Sequence, residues 1–184
     1  MVDLIAKTPL EGVLPISSGS VTLTETAPAF ITSITPHAGK EKTCATALKT
    51  AHDLALPAVG RSSGAAALRI LWTGQGQYFL VGAKTASKTL AKSASLTDQS
   101  DSWAVMTLEG ADAAEVLARV CPIDTRPSAF KRGHTARTEL AHMMSVVSCT
   151  SGGFEIMVMR SFARTAAHQL MDAMDSIAAQ NAIA

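Results

Sequence analysis

The sequence predicts an α+β protein of two quasi-repeated β/α subdomains, each a mostly antiparallel sheet with helices on one face. Three observations lead there. A strand with two apolar faces, Trp103–Leu108, feeds a helix whose Ala113, Val116, Leu117 and Val120 fall at i, i+3, i+4 and i+7. The order strand, helix, strand, hairpin, strand, helix occurs twice, from Phe30 to Leu90 and from Trp103 to Ile177. In each half a glycine turn precedes an apolar strand and then a helix: Thr73-Gly74-Gln75-Gly76 before Phe79-Leu80-Val81, and Ser151-Gly152-Gly153 before Ile156-Met157-Val158. Elements mixed in this way bury their apolar sides by stacking in layers. The divisions expected are an extended arm over residues 1–20, a first subdomain over 21–95 and a second over 96–184, joined in one compact unit.

The arm carries Pro9-Leu10-Glu11-Gly12 and Ser17-Ser18-Gly19-Ser20, a composition that reads as extended chain lying loose or across a neighbour. Val21–Glu25 reads as a short strand, and Ala29–Thr35 as a second, bracketed by Pro28 and Pro36. A helix is expected from Gly39 to Leu54 with Cys44, Ala47, Leu48 and Ala51 on its apolar stripe, ended by Pro57 and Gly60. Arg61-Ser62-Ser63-Gly64 reads as a polar link. Ala67–Thr73 and Tyr78–Val81 form a hairpin about Gly74-Gln75-Gly76-Gln77. A short helix is expected over Lys84–Ser93. In the second half, Trp103 is expected in the core, because its strand is apolar on both faces. Pro122 stops the helix that follows. Asp124–Gly133 is a loop at the long end for a compact domain. Ala136–Met143 reads as a strand, Met144–Cys149 as another or its continuation, and Phe154–Met159 as a strong strand. Ser161 is expected to cap a last helix carrying Phe162, Ala166, Leu170, Met174 and Ile177.

Composition removes several function classes. A formal net charge of +1 over 184 residues supplies no cationic field for nucleic acid or anionic lipid. No apolar run reaches membrane-span length, and Met1-Val2-Asp3-Leu4 lacks the build of a secretion signal, so a cytoplasmic location is expected. Cys44, Cys121 and Cys149 are odd in number and widely spaced, which speaks against a disulfide framework or a zinc site. His37, His52, His134, His142 and His168 form no metal-binding pair. No nucleophile elbow, phosphate loop or dinucleotide fingerprint is present. No catalytic, cofactor-binding or metal-binding residue is therefore expected on the chain. Asp124 reads as an Asx-type turn residue. One set stands out as a candidate docking surface: Arg126, Phe130, Lys131, Arg132 and Arg137, with Arg160 beyond, place cations around an aromatic anchor.

The ordered series Trp103-Ala104-Val105, Gly110, Val116-Leu117-Ala118, Cys121-Pro122-Ile123-Asp124, Ala129-Phe130, Gly133, Ala136-Arg137-Thr138, Phe154-Glu155-Ile156-Met157-Val158 and Arg160-Ser161-Phe162-Ala163 resembles the gamma subunits of heterotetrameric sarcosine oxidase. It covers roughly the C-terminal half, and Met157 and Met159 stand where Leu and Pro are expected. The resemblance implies a fold similar to the folate-binding domain of glycine-cleavage aminomethyltransferases. It implies a non-catalytic subunit of a flavin-dependent oxidoreductase, working with alpha, beta and delta subunits. That enzyme oxidises sarcosine to glycine, passes the one-carbon unit to tetrahydrofolate and reduces oxygen to hydrogen peroxide. Flavins and NAD are expected on alpha and beta, zinc on delta and folate on a partner, with none on this chain. The alternative is a free-standing folate-binding or aminomethyltransferase-like protein of the same fold, which requires a pterin pocket with a carboxylate and an aromatic clamp.

Overall fold

The structure is a computed structural model and describes residues 5–65 and 67–183. Eleven strands and three α-helices alternate along it. Strands β1 (Ile16–Ser18), β2 (Val21–Thr26), β8 (Trp103–Gly110), β9 (Thr135–Leu140), β10 (Met143–Cys149) and β11 (Gly153–Met159) form one sheet in the order β1-β2-β8-β11-β10-β9. Strands β3 (Phe30–Pro36), β4 (Ser62–Ala65), β5 (Leu68–Gly74), β6 (Gln77–Gly82) and β7 (Ala94–Asp98) form the other, in the order β4-β5-β6-β3-β7. All pairings within the sheets are antiparallel.

The sheets stack face to face, with helices on their outer sides. Alternation along the strands decides which residue goes where. In the second sheet Ile34, Ile70 and Leu80 face outward and meet Cys44 and Leu48 of α1 (Glu41–His52). In the first sheet Ala104, Met106, Leu108, Phe154, Ile156 and Val158 face outward. They meet Val116 and Leu117 of α2 (Ala113–Val120) and Ala166, Leu170 and Met174 of α3 (Ala163–Asn181). The residues in between, Ile31, Leu71, Phe79 and Val81 against Val105, Val146 and Met157, form the layer where the sheets touch. The two apolar faces expected for the Trp103 strand are thus covered, one by helices and one by the opposite sheet. At one edge the sheets join: Ser62 N–H donates to Gly133 O (2.9 Å), and Thr135 N–H to Gly60 O (3.0 Å).

The repeat is visible in the topology. The order β4-β5-β6-β3 in one sheet matches β9-β10-β11-β8 in the other, with α1 and α2 at equivalent places. Several boundaries differ from the sequence expectation. Strand β2, assigned to the first subdomain, lies in the second subdomain's sheet, where Leu23 pairs with Leu108. Residues 1–4 of the expected arm lie outside the described residues, but the rest is no loose arm. Leu10 is fully buried in the core under α2 and α3, and β1 pairs with β2. The polar link at residues 61–64 is largely β4, and Ala94–Asp98 form β7, a strand that the sequence expectation lacked. The helix expected over Lys84–Ser93 is a short 3-10 turn, Lys88–Lys92, capped by the Ser87 side chain. Ser161 caps nothing. It sits inside a 3-10 turn, Arg160–Phe162, and Phe162 occupies the N-cap of α3 without a side-chain bond.

Candidate functional site

The polar chemistry of the molecule gathers at the two ends of the inter-sheet layer. At the β8 start, Trp103 packs edge-to-face on Phe79 at 5.2 Å. It is half-buried rather than fully enclosed, since cavities open on either side of it. One, of about 280 Å³, is lined by Ser33, Thr73, Gln77, Gln99 and Arg137 as well. The other, of about 350 Å³, lies against the N-terminal segment and includes Lys7, Glu25 and Arg160. The indole Nε1 has no partner among the described residues.

At the opposite end, β5 and β11 bring Arg69 and Glu155 together across the sheets in a largely buried ion pair. Glu155 Oε1 and the Thr150 hydroxyl are buried without partners among the described residues. A further cleft of about 620 Å³ lies between α2, the start of α3 and the β9–β10 turn, beside Glu139 and His142. The contact of His142 with Glu139 on its rim, at 3.9 Å, is solvent-exposed, and such pairs hold little energy. Among the described residues, no three His, Cys, Asp or Glu converge to hold a metal ion. Among the described residues, no helix is long and apolar enough to cross a membrane.

The docking set read from the sequence is dispersed. Phe130 is a core residue. It is 9% exposed, stacks on Phe154 at 6.3 Å and meets His134 edge-on at 5.8 Å. The loop curls back because Ala129 and Phe130 N–H both donate to Arg126 O (2.9 Å), which turns the aromatic inward. Arg126 is held by Asp124, which accepts its backbone N–H (3.1 Å) and both arms of its guanidinium (2.8 and 2.5 Å). This is the expected Asx turn closed by a fork. The Arg126 bonds hold the Asp124 carboxyl down to about 2. Lys131 and Arg132 remain exposed. Arg137 extends from β9 toward the β5–β6 hairpin, with Thr73 O and Gln77 Oε1 each at 3.5 Å. Arg160, at the far end of β11, donates to Lys7 O (2.6 Å), while Glu25 accepts from Thr8 Oγ1 (2.6 Å) and Leu10 N–H (3.1 Å). These bonds pin the N-terminal segment. Sequence reasoning missed Arg69, Glu155 and Thr150. A glutamate inside the apolar run Phe154–Val158 was the available signal, because a charge in a two-faced buried strand requires a partner.

Two antiparallel sheets stacked between helices, with an internal repeat, define the fold class of the GCVT N-terminal domain, and that family matches residues 71–182. The sarcosine oxidase subunit gamma of Corynebacterium sp. (strain U-96) is 31% identical over 170 residues, covering 87% of this chain and 82% of its own length. The chain belongs to the sarcosine oxidase gamma-subunit family. A chain of the heterotetrameric sarcosine oxidase from Corynebacterium sp. U-96, solved in complex with pyrrole 2-carboxylate, superimposes with a TM-score of 0.79 at 26% identity. The match covers 94% of this chain and 96% of that one.

Proposed function

We propose that this chain is the non-catalytic gamma subunit of a heterotetrameric sarcosine oxidase, assembled with alpha, beta and delta subunits in the cytoplasm. The whole enzyme converts sarcosine to glycine, hands the one-carbon unit to tetrahydrofolate and reduces oxygen to hydrogen peroxide. Flavins, NAD, zinc and folate reside on the partners, and this chain supplies a rigid body against which they are held. The observation that carries the reading is end-to-end correspondence with a chain of that assembly, 94% of one length on 96% of the other.

With Phe130 inside, the docking face is better sought around Arg160. There Met159 and Phe162 stay 40% and 45% exposed, large apolar side chains beside a cation. Aromatic and methionine side chains with arginine are the composition favoured at interface cores. Arg126, Lys131 and Arg132 lie toward the other end of β11, outside this face. Co-expression with the partner subunits tests both statements. The chain is expected to co-purify with a flavin-containing complex, and Phe162→Asp to reduce its recovery. Purified alone it is expected to be colourless and to make no peroxide from sarcosine. A chain that ignores the partners and binds reduced folate by itself overturns this reading in favour of the aminomethyltransferase-like alternative.

A further inference from the structure

We propose that the cavity beside the Arg69–Glu155 pair binds a small zwitterionic amino acid, its amino group on Glu155 and its carboxylate on Arg132. The cavity measures about 280 Å³ and lies between the sheets, at the end of β11 away from Trp103. Backbone geometry brings its polar groups together. Glu155 pairs with Ser148, and Thr150 lies two residues further along, so both point to the inter-sheet side. Gly133 N–H donates to Cys149 O (3.1 Å), which sets Arg132 at the same opening, exposed.

The chemistry of the unpaired atoms selects the ligand. Of the two Glu155 carboxylate oxygens, Oε2 is the one bonded to Arg69. Oε1 is left buried, and a carboxylate oxygen accepts only, so what meets it is a donor. The Thr150 hydroxyl, on the lining of the same cavity, is buried and has no partner among the described residues. Leaving such groups unmet is costly. A metal ion is disfavoured by two arginines on the lining, and a simple anion by the Glu155 charge. A molecule with a protonated amine at one end and a carboxylate at the other suits both: the amine bonds Oε1, and the carboxylate takes Arg132 and the Thr150 O–H. The site consists of this chain's own residues, so it stands or falls independently of the assembly.

Glycine and sarcosine, titrated into the full chain and followed by amide or threonine-methyl NMR, are the probes, with methylamine and acetate as half-ligands. Saturable shifts at Thr150 and Glu155 are expected. Thr150→Val and Arg132→Gln, checked as folded by circular dichroism, are each expected to weaken binding on the order of tenfold, the scale of one lost charged or buried hydrogen bond. The half-ligands are expected to bind at least as weakly as that. Where the chain is held only in its assembly, the same threonine-methyl signal is followed there. Three results overturn the proposal: no saturable shift, which leaves bridging water as the partner of both oxygens; acetate binding as well as glycine; or both variants binding as tightly as the unsubstituted chain.

Discussion

In the N-terminal half, the strands β4-β5-β6-β3 are backed by a twelve-residue helix and one 3-10 turn. In the C-terminal half, β9-β10-β11-β8 is backed by α2 and the nineteen-residue α3. The second core also takes in Leu10, Val21 and Leu23 from the start of the chain. The first has a short roster, chiefly Ile34, Cys44, Leu48, Ile70, Leu80 and Leu90. The same strand order therefore supports unequal amounts of buried surface, and burial is the main favourable term in folding. The light half leans on the heavy one through the inter-sheet layer and the Arg69–Glu155 pair, while the heavy half is closed by its own helices. Arg119 to Gln180 (2.6 Å) and Asn181 to Asp112 (2.9 Å) tie those two helices together.

The coupling between the halves is expected to be most sensitive at the Arg69–Glu155 pair. Glu155→Ala is expected to cost about 3–5 kcal/mol, because it removes the anionic partner of a mostly buried guanidinium. Replacing both partners by methionine is expected to recover most of that, as an apolar pair leaves no orphan charge. Urea melts decide it, and a loss under about 1 kcal/mol for Glu155→Ala would mean that the sheets are not coupled there. Phe130→Ala follows at about 3–5 kcal/mol, the range for deleting a buried phenyl ring. Its effect is expected in the melt of the chain itself, and weakened assembly without lost stability counts against the core placement.

The inequality of the halves is tested by a matched pair, Leu48→Ala on the buried face of α1 and Leu170→Ala on that of α3, both fully buried. Each is expected to cost about 2–5 kcal/mol at its site. Leu48→Ala is expected to raise amide exchange only in β3–β7, as a low-lying opening, whereas Leu170→Ala lowers protection throughout. Equal patterns from the two variants would show one cooperative core. The smallest effect belongs to His52, whose Nε2 accepts the Ser87 N–H (3.0 Å) at the end of α1. Burial, then the charge of Lys84, pushes its pKa below the ordinary 6.5. A lowered folded value means the contribution is present above the unfolded value and is lost as pH falls through the folded one. Ser87 protection, corrected for intrinsic exchange, is expected to drop as acidification passes below the ordinary histidine value of 6.5. Constant protection there would separate His52 from the light half's stability.

What was legible in the sequence were features carried by local periodicity. The alternation of Trp103–Leu108, the stripe Ala113–Val116–Leu117 and the turn at Gly74–Gly76 each fix an element from a few adjacent residues, and each is observed. The turn at Leu140–Met143 was not legible, because Ala141 and His142 take positive φ (45° and 69°) where glycine or asparagine is the usual signal. The division of the chain was only half legible. Local pattern marks β2 as a strand without saying that it crosses to pair with β8, since pairing partners lie far away in sequence.

The sequence by itself determined the class of layers, the repeat, the family resemblance and the absence of the familiar cofactor motifs, all of which are written in short-range spacing. Tertiary structure alone decided that Phe130 faces Phe154 rather than solvent, that Glu155 meets Arg69, and that Arg132, Thr150 and Glu155 share one cavity. The physical reason is that solvent exposure and charge pairing depend on which sheet face a residue reaches and what is stacked opposite. Those are set by long-range packing between halves that no local window contains.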